Sequence, residues 1–198
     1  MRILVIDSCI RGNVSRTRRL LDDCLKQIQC KAPAAEVTVI KLTEMNLSCL
    51  YGDFFDGRQE LLAQGKLDAP RFDYAHQFAE ADKIVIAAPF WDLSFPALLK
   101  VYIENISVDG ITFFYDEEGG HGKCKSDKIL FLTTRGGYYE GDAAEQACEY
   151  IHEYGKMCGI QGFRCVAAEG LDFVPEEAEQ ILSRACDKMP ESVDWLLG

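Results

Sequence analysis

A chain of 198 residues with 21 Lys and Arg against 32 Asp and Glu has a formal net charge of −11, which opposes any broad electrostatic grip on nucleic acid or an anionic bilayer. Its 48% hydrophobic and 27% charged residues are ordinary for a globular domain and unlike a disordered chain. The longest apolar runs, such as 84–90, fall far short of the roughly 20 residues a membrane span needs.

Met1 and Arg2 lead straight into Ile3-Leu4-Val5-Ile6 and Asp7, too short an apolar stretch for a signal peptide, so a cytoplasmic protein is expected. Nine cysteines, an odd number without a CxxC pair, read as reduced and mostly buried thiols.

In chain order, the unbroken apolar run 3–6 suits a strand buried on both faces of a parallel sheet. Leu20, Leu21, Cys24, Leu25 and Ile28 follow at helical spacing. A second strand is predicted at 37–40. Residues 42–68, punctuated by Gly52, Gly57 and Gly65, read as a long surface excursion containing some helix. A third strand at 84–88 leads to Ser94 as N-cap, Pro96 in the first turn, and a helix over 95–106 with Leu98, Leu99, Tyr102 and Ile103 on its stripe. A fourth strand at 129–133 precedes the stripe Ala144, Ala147, Cys148, Ile151 and Cys158. A fifth at 163–167 precedes Ala178, Ile181, Leu182, Ala185 and Cys186, a helix that Pro190 closes. This alternation predicts one doubly wound α/β domain over 1–198, a five-stranded parallel sheet with helices on both faces. In such sheets the ligand sits beyond the carboxyl ends of the strands.

Three of the loops there are chemically distinctive. After the first strand, Ser8, Gly12, Asn13, Ser15, Arg16 and Thr17 form a tight polar loop that feeds backbone N–H groups into a helix N-terminus, a ready anion site. Helix capping by Ser15 or Asn13 accounts for the same residues, and loop chemistry alone does not choose. Neither GxGxxG nor GxxxxGK[ST] is present, which disfavours nucleotide-triphosphate chemistry. After the third strand, Pro89, Phe90, Trp91, Asp92 and Leu93 offer apolar cover for a flat ligand. After the fourth, Thr134, Arg135, Gly136, Gly137 and Tyr138 let the backbone approach such a ligand closely. One loop suited to phosphate and two suited to a flat heterocycle describe FMN, whose own ring carries the chemistry, so no catalytic side chain and no metal site is expected.

At this point the chain resembles the FMN-dependent NAD(P)H azoreductases and quinone reductases of flavodoxin-like fold. The resemblance is carried by Pro89 to Ser94, by Leu98-Leu99-Lys100-Val101-Tyr102, by Gly110-Ile111-Thr112-Phe113-Phe114-Tyr115, by Thr134-Arg135-Gly136-Gly137 and by Ala168-Glu169-Gly170. It is weakest over 42–73. It implies strand order 2-1-3-4-5 and FMN held by Ser8, Ser15, Arg16, Thr17 and the two later loops. It also implies NADH or NADPH as donor, a quinone, azo or nitroaromatic acceptor served in a second step, and a homodimer. In that dimer the helix over 95–106 packs on its symmetry mate and Tyr115 lines the partner's pocket. Two departures stand out: Asp92 falls where the family usually has Asn, and Met157 lies near where relatives place a pocket-lining aromatic.

A flavodoxin-like electron carrier would use the same FMN site and an acidic face for steering; the segment from Ser94 to Tyr115 argues against it by resemblance. A cysteine hydrolase built on Cys9 or Cys124 lacks an orienting third group. A metal site at Cys148 and His152 lacks further ligands.

Overall fold

The computed structural model describes residues 1–198. Five parallel strands, β1 (Arg2–Asp7), β2 (Glu36–Lys41), β3 (Lys83–Ala87), β6 (Lys128–Thr134) and β7 (Gly162–Ala168), form one sheet in the order β2-β1-β3-β6-β7. With the five strands counted alone, this is the expected order 2-1-3-4-5. Burial explains the arrangement: β3 is buried at every residue and β1 at all but Arg2, whereas β2 alternates between exposed and covered positions. Continuous apolar runs take the centre and the mixed strand takes an edge.

Helices α1 (Arg16–Lys31), α6 (Ala178–Cys186) and α7 (Met189–Leu197) cover one face; α3 (Asp73–Glu80), α4 (Ala97–Ile106) and α5 (Ala147–Met157) cover the other. Because side chains alternate along a strand, Ile3 and Val5 join Leu20, Cys24, Leu182 and Val193, while Leu4 and Ile6 join Phe78, Tyr102 and Ile151. No helix is long and apolar enough to cross a membrane.

A second sheet is a hairpin, β4 (Phe113–Asp116) with β5 (Gly119–Gly122). It docks on the end of α5, where Cys124 N–H donates to the Cys158 carbonyl at 3.0 Å. A Cβ on Gly122 would fall 1.9 Å from the Gly159 nitrogen, so the two backbones touch.

Several local expectations are corrected. The excursion at 42–68 does contain helix, α2 (Gly52–Ala63), which buries no residue; α3, which follows it, was not expected. The fourth helix begins at Ala97 with Pro96 as its N-cap; Ser94 instead pairs with Trp91 across a two-residue turn. Ala144 precedes α5. Pro190 opens α7, where a missing N–H costs nothing in the first turn. Of the nine cysteines, only Cys9, Cys24 and Cys158 are buried; Cys30 and Cys49 are exposed and the other four lie between.

Candidate functional site

The sheet's hydrogen-bond ladder continues past the strand ends and brings the three loops to one rim. Ser8 N–H donates to the Ala87 carbonyl at 2.8 Å, Phe90 N–H to Thr134 at 3.0 Å, and Arg135 N–H to Ala168 at 2.8 Å. Neighbouring strands of a parallel sheet end side by side, so residues distant in sequence become adjacent.

In the first loop, Ser8 is fully buried and its hydroxyl has no partner. Ser15 is the N-cap of α1, its side chain accepting from Arg18 N–H at 3.4 Å, and no acidic residue occupies the first turn. The capping reading therefore holds, yet a 3.4 Å contact leaves most of the Ser15 hydroxyl's hydrogen-bonding capacity unused. Arg16 pairs with Asp172 at 2.6 Å, with both side chains largely exposed. Arg18, which sequence reasoning passed over, pairs with buried Asp7 and with Asp22; burial works against the Arg18 charge, but its bond to Asp22 and the field of Asp7 hold its pKa above the usual range. Thr17 and Thr134 are joined by a buried 2.6 Å hydrogen bond between their side-chain oxygens, tying the first loop to the third.

The second loop turns sharply. Trp91 and Ser94 exchange backbone bonds at 3.1 and 2.9 Å around Asp92 (φ 50°) and Leu93 (φ 65°). Positive φ at both central residues is the type I′ requirement, and for Leu it is a strained choice. The Leu93 carbonyl accepts from Gln146 N–H at 3.1 Å, which anchors the turn to the start of α5. Trp91, Asp92 and Leu93 are exposed; Pro89 and Phe90 are half-buried.

The third loop is held from beneath. Arg135 is buried and pairs with Glu169 at 2.5 Å and Glu145 at 3.1 Å. Burial alone would push the guanidinium pKa down, but Glu169 first, then the neighbouring sulfurs and Glu145, hold it above the usual range. Glu169 also accepts from Tyr139 N–H at 3.1 Å, so one carboxylate fastens both ends of the Gly136-Gly137 segment. Tyr139 packs on Phe90 with centroids 4.7 Å apart, joining the second and third loops. Tyr138 leans on Phe173, and a Cβ on Gly170 would collide with it.

The sequence reading thus placed three loops that the fold brings together, and it missed the residues that fasten them: Asp7, Arg18, Glu145 and Asp172. Glu169 was visible within Ala168-Glu169-Gly170. Tyr115 lies on the hairpin, 66% exposed, and Met157 ends α5, 39% exposed; both stand apart from the three-loop rim. A cavity of about 700 Å³ opens beside that rim, shared with the third loop through Arg135, Tyr138 and Tyr139 and otherwise lined mainly by Glu145 and Cys148 at the start of α5, β7 and α6.

The chain matches a family model described as flavodoxin-like fold over residues 1–193. It is 40% identical over 181 residues to FMN-dependent NADH:quinone oxidoreductase 2 of Clostridium acetobutylicum, covering 90% of each chain. It is 32% identical over 188 residues to FMN-dependent NADH:quinone oxidoreductase of Lachnoclostridium phytofermentans, covering 94% of this chain and 95% of that one. A crystal structure of azoreductase from Bacillus anthracis superposes with a TM-score of 0.86 at 27% identity, covering 98% of both. A second from that organism, an FMN-dependent NADH-azoreductase in complex with FMN, reaches 0.87 at 20% identity over 100% and 99% of the two chains and bears on the fold alone. The family match spans nearly the whole chain, the strand order is that of a doubly wound flavodoxin sheet, and the chain accordingly belongs to the flavodoxin-like fold family.

Proposed function

We propose that this chain is an FMN-dependent NADH:quinone oxidoreductase that also reduces azo compounds. The observation that carries the reading is the meeting of the three loops at one rim, in a chain whose relatives bear that name. The residues there fit FMN. A buried Ser8 hydroxyl without a partner and an α1 N-terminus free of acidic residues suit a phosphate. The exposed Trp91 and Leu93 and the backbone of Gly136 and Gly137 suit a flat ring.

In this reading Ser8, Ser15, Arg16 and Thr17 hold the phosphate, while Pro89, Phe90, Trp91, Asp92, Leu93, Thr134, Gly136, Gly137 and Tyr138 flank the ring. Arg135 serves through its ion pairs, which keep the glycine loop at one height. FMN, when bound, supplies two-electron transfer from NADH to the acceptor. The protein's task is to orient donor and acceptor in turn over one face and to keep the phosphate end anchored. The Asp92 carboxylate disfavours negative charge on the ring side of its turn, which lowers the reduction potential wherever it faces the ring.

The finer reading has four parts: a homodimer through α4, Tyr115 lining the partner's pocket, Met157 on the acceptor side in place of an aromatic, and nitroaromatic compounds among the acceptors. NADH, the donor in the relatives' names, or NADPH supplies the electrons. The odd, scattered cysteine count supports a reducing, cytoplasmic setting.

Purification in the presence of FMN is expected to give a yellow protein with one FMN per chain that oxidises NADH in step with reduction of a small quinone. A colourless protein that fails to take up FMN removes the assignment. Flavin without NADH oxidation returns the reading to an electron carrier. Size-exclusion chromatography with light scattering tests the dimer.

A further inference from the structure

Outside the three-loop rim, the cavity of about 700 Å³ between the third loop, β7 and α6 has two cysteines in its wall. Cys148 lies in the first turn of α5 and Cys165 in the middle of β7, and their sulfurs are 3.2 Å apart. Neither residue is fully buried. The Arg135 guanidinium donates to the Cys148 sulfur at 3.2 Å.

We propose that Cys148 and Cys165 are a second redox site, a dithiol that peroxides close to a disulfide through the adjoining cavity, with Cys148 as the attacking sulfur. Two sulfurs at 3.2 Å need to approach by about 1.2 Å to reach the disulfide length of about 2.0 Å, a shift within side-chain freedom at a cavity wall. Cys148 is the attacking member because the Arg135 guanidinium donates to its sulfur at 3.2 Å, where it steadies negative charge that develops during attack, and because the residue sits in the first turn of α5. Glu145 accepts from the Cys148 N–H at 3.2 Å and shares its charge with Arg135 at 3.1 Å. The bond to Cys148 first, then burial, push the Cys165 thiol pKa well up against the opposing field of Arg135, so it stays protonated until the second step.

The electrons balance with hydrogen peroxide as oxidant. The Cys148 sulfur takes one oxygen as the O–O bond breaks, water leaves, and a sulfenic acid remains. The Cys165 sulfur then displaces that hydroxyl, which departs as water with the Cys165 proton. Two thiols lose two electrons, the peroxide gains two, and the products are one disulfide and two waters. This inference does not depend on the activity proposed above, since the pair and its cavity exist without flavin.

Trypsin separates all the relevant thiols: Cys148 alone falls in 136–156, Cys165 alone in 165–184, Cys124 in 124–125 and Cys158 in 157–164. The full chain is reduced, desalted, given a small excess of hydrogen peroxide, alkylated and digested without reductant. The expected product is 136–156 joined to 165–184, two hydrogens lighter than their sum and released by dithiothreitol, at more than half occupancy. Recovery of both peptides alkylated, under peroxide that has oxidised exposed Cys30 and Cys49, overturns the proposal. In Cys165→Ser, dimedone added during oxidation is expected to label 136–156; label on 165–184 in Cys148→Ser instead overturns the assignment of the attacking sulfur.

Discussion

The Thr17 and Thr134 side-chain oxygens, 2.6 Å apart and buried, join the first turn of α1 to the last residue of β6. This bond spans the two loops assigned to opposite ends of the ligand, so its loss should reach both stability and binding. Thr134→Val keeps the shape and leaves the Thr17 hydroxyl buried without a partner, a cost of about 1–3 kcal/mol. Thr17→Val with Thr134→Val removes both polar groups and should recover part of that loss. Denaturant unfolding of the parent, Thr17→Val, Thr134→Val and the double variant measures the coupling, and strict additivity would mean that the hydroxyls act independently.

Leu93 holds φ at 65° in the turn after β3. A left-handed conformation costs a non-glycine residue about 1–2 kcal/mol, and glycine returns about 0.5–1 kcal/mol of that as lost chain freedom. Leu93→Gly should therefore raise the stability of the flavin-free protein by up to about 1 kcal/mol while weakening FMN several-fold, because an exposed apolar cover is removed. Thermal melts and fluorescence titration with FMN read the two effects separately. Weaker FMN without added stability would show that the turn is not strained.

Gly122 and Gly159 meet backbone to backbone, and a Cβ at 122 would lie 1.9 Å from a main-chain nitrogen. No side chain can swing aside there. Gly122→Ala should cost about 1–3 kcal/mol and loosen the hairpin that carries Tyr115. Gly57→Ala, in α2 with open space around it, should instead stabilise by about 0.5–1 kcal/mol. Urea unfolding of the pair compares steric exclusion with chain entropy on one scale.

Asp82 accepts the Arg2 amide at 2.6 Å and pairs with Lys125, linking the start of β1 to the turn before β3. Lys125 first, then the Arg2 amide, hold the carboxylate pKa down to about 2 from its ordinary 3.8. A depressed folded-state pKa stabilises the fold fully above pH 3.8, and that contribution disappears as pH falls through about 2. Asp82→Asn should be less stable than the parent at pH 7 and converge with it near pH 2. A constant gap across that range would assign the loss to packing.

Legibility differed from element to element. The central strands were readable because a strand buried on both faces must be apolar at nearly every position, as 84–88 is; the edge strands β2 and β7 showed as shorter apolar runs. α2 was read only as some helix within 42–68, because it buries nothing and no stripe fixes its bounds. α7 escaped because Pro190 reads equally as the end of one helix or the second residue of another, and only the packing of Met189, Val193 and Leu196 on the sheet decides between them. In the candidate site, the loops were legible through their glycines, aromatics and hydroxyls, while their fastenings were not. Arg16, which the sequence reading gave to the phosphate, has its guanidinium on Asp172, 156 residues away, a partner that no local pattern shows. Arg135 looked like part of the ligand-facing loop, yet it is spent on Glu145 and Glu169.

The amino-acid sequence by itself determined the order along the chain of the five sheet strands, the four striped helices α1, α4, α5 and α6 between and after them, and the chemistry of each loop, because apolar runs, helical stripes and turn residues act over a few positions. Only the tertiary structure decided that Thr17 meets Thr134, that Tyr139 rather than Tyr138 packs on Phe90, and that Cys148 faces Cys165. Those pairings come from strands stacked side by side in an order that differs from their order in the chain, so no local pattern encodes them.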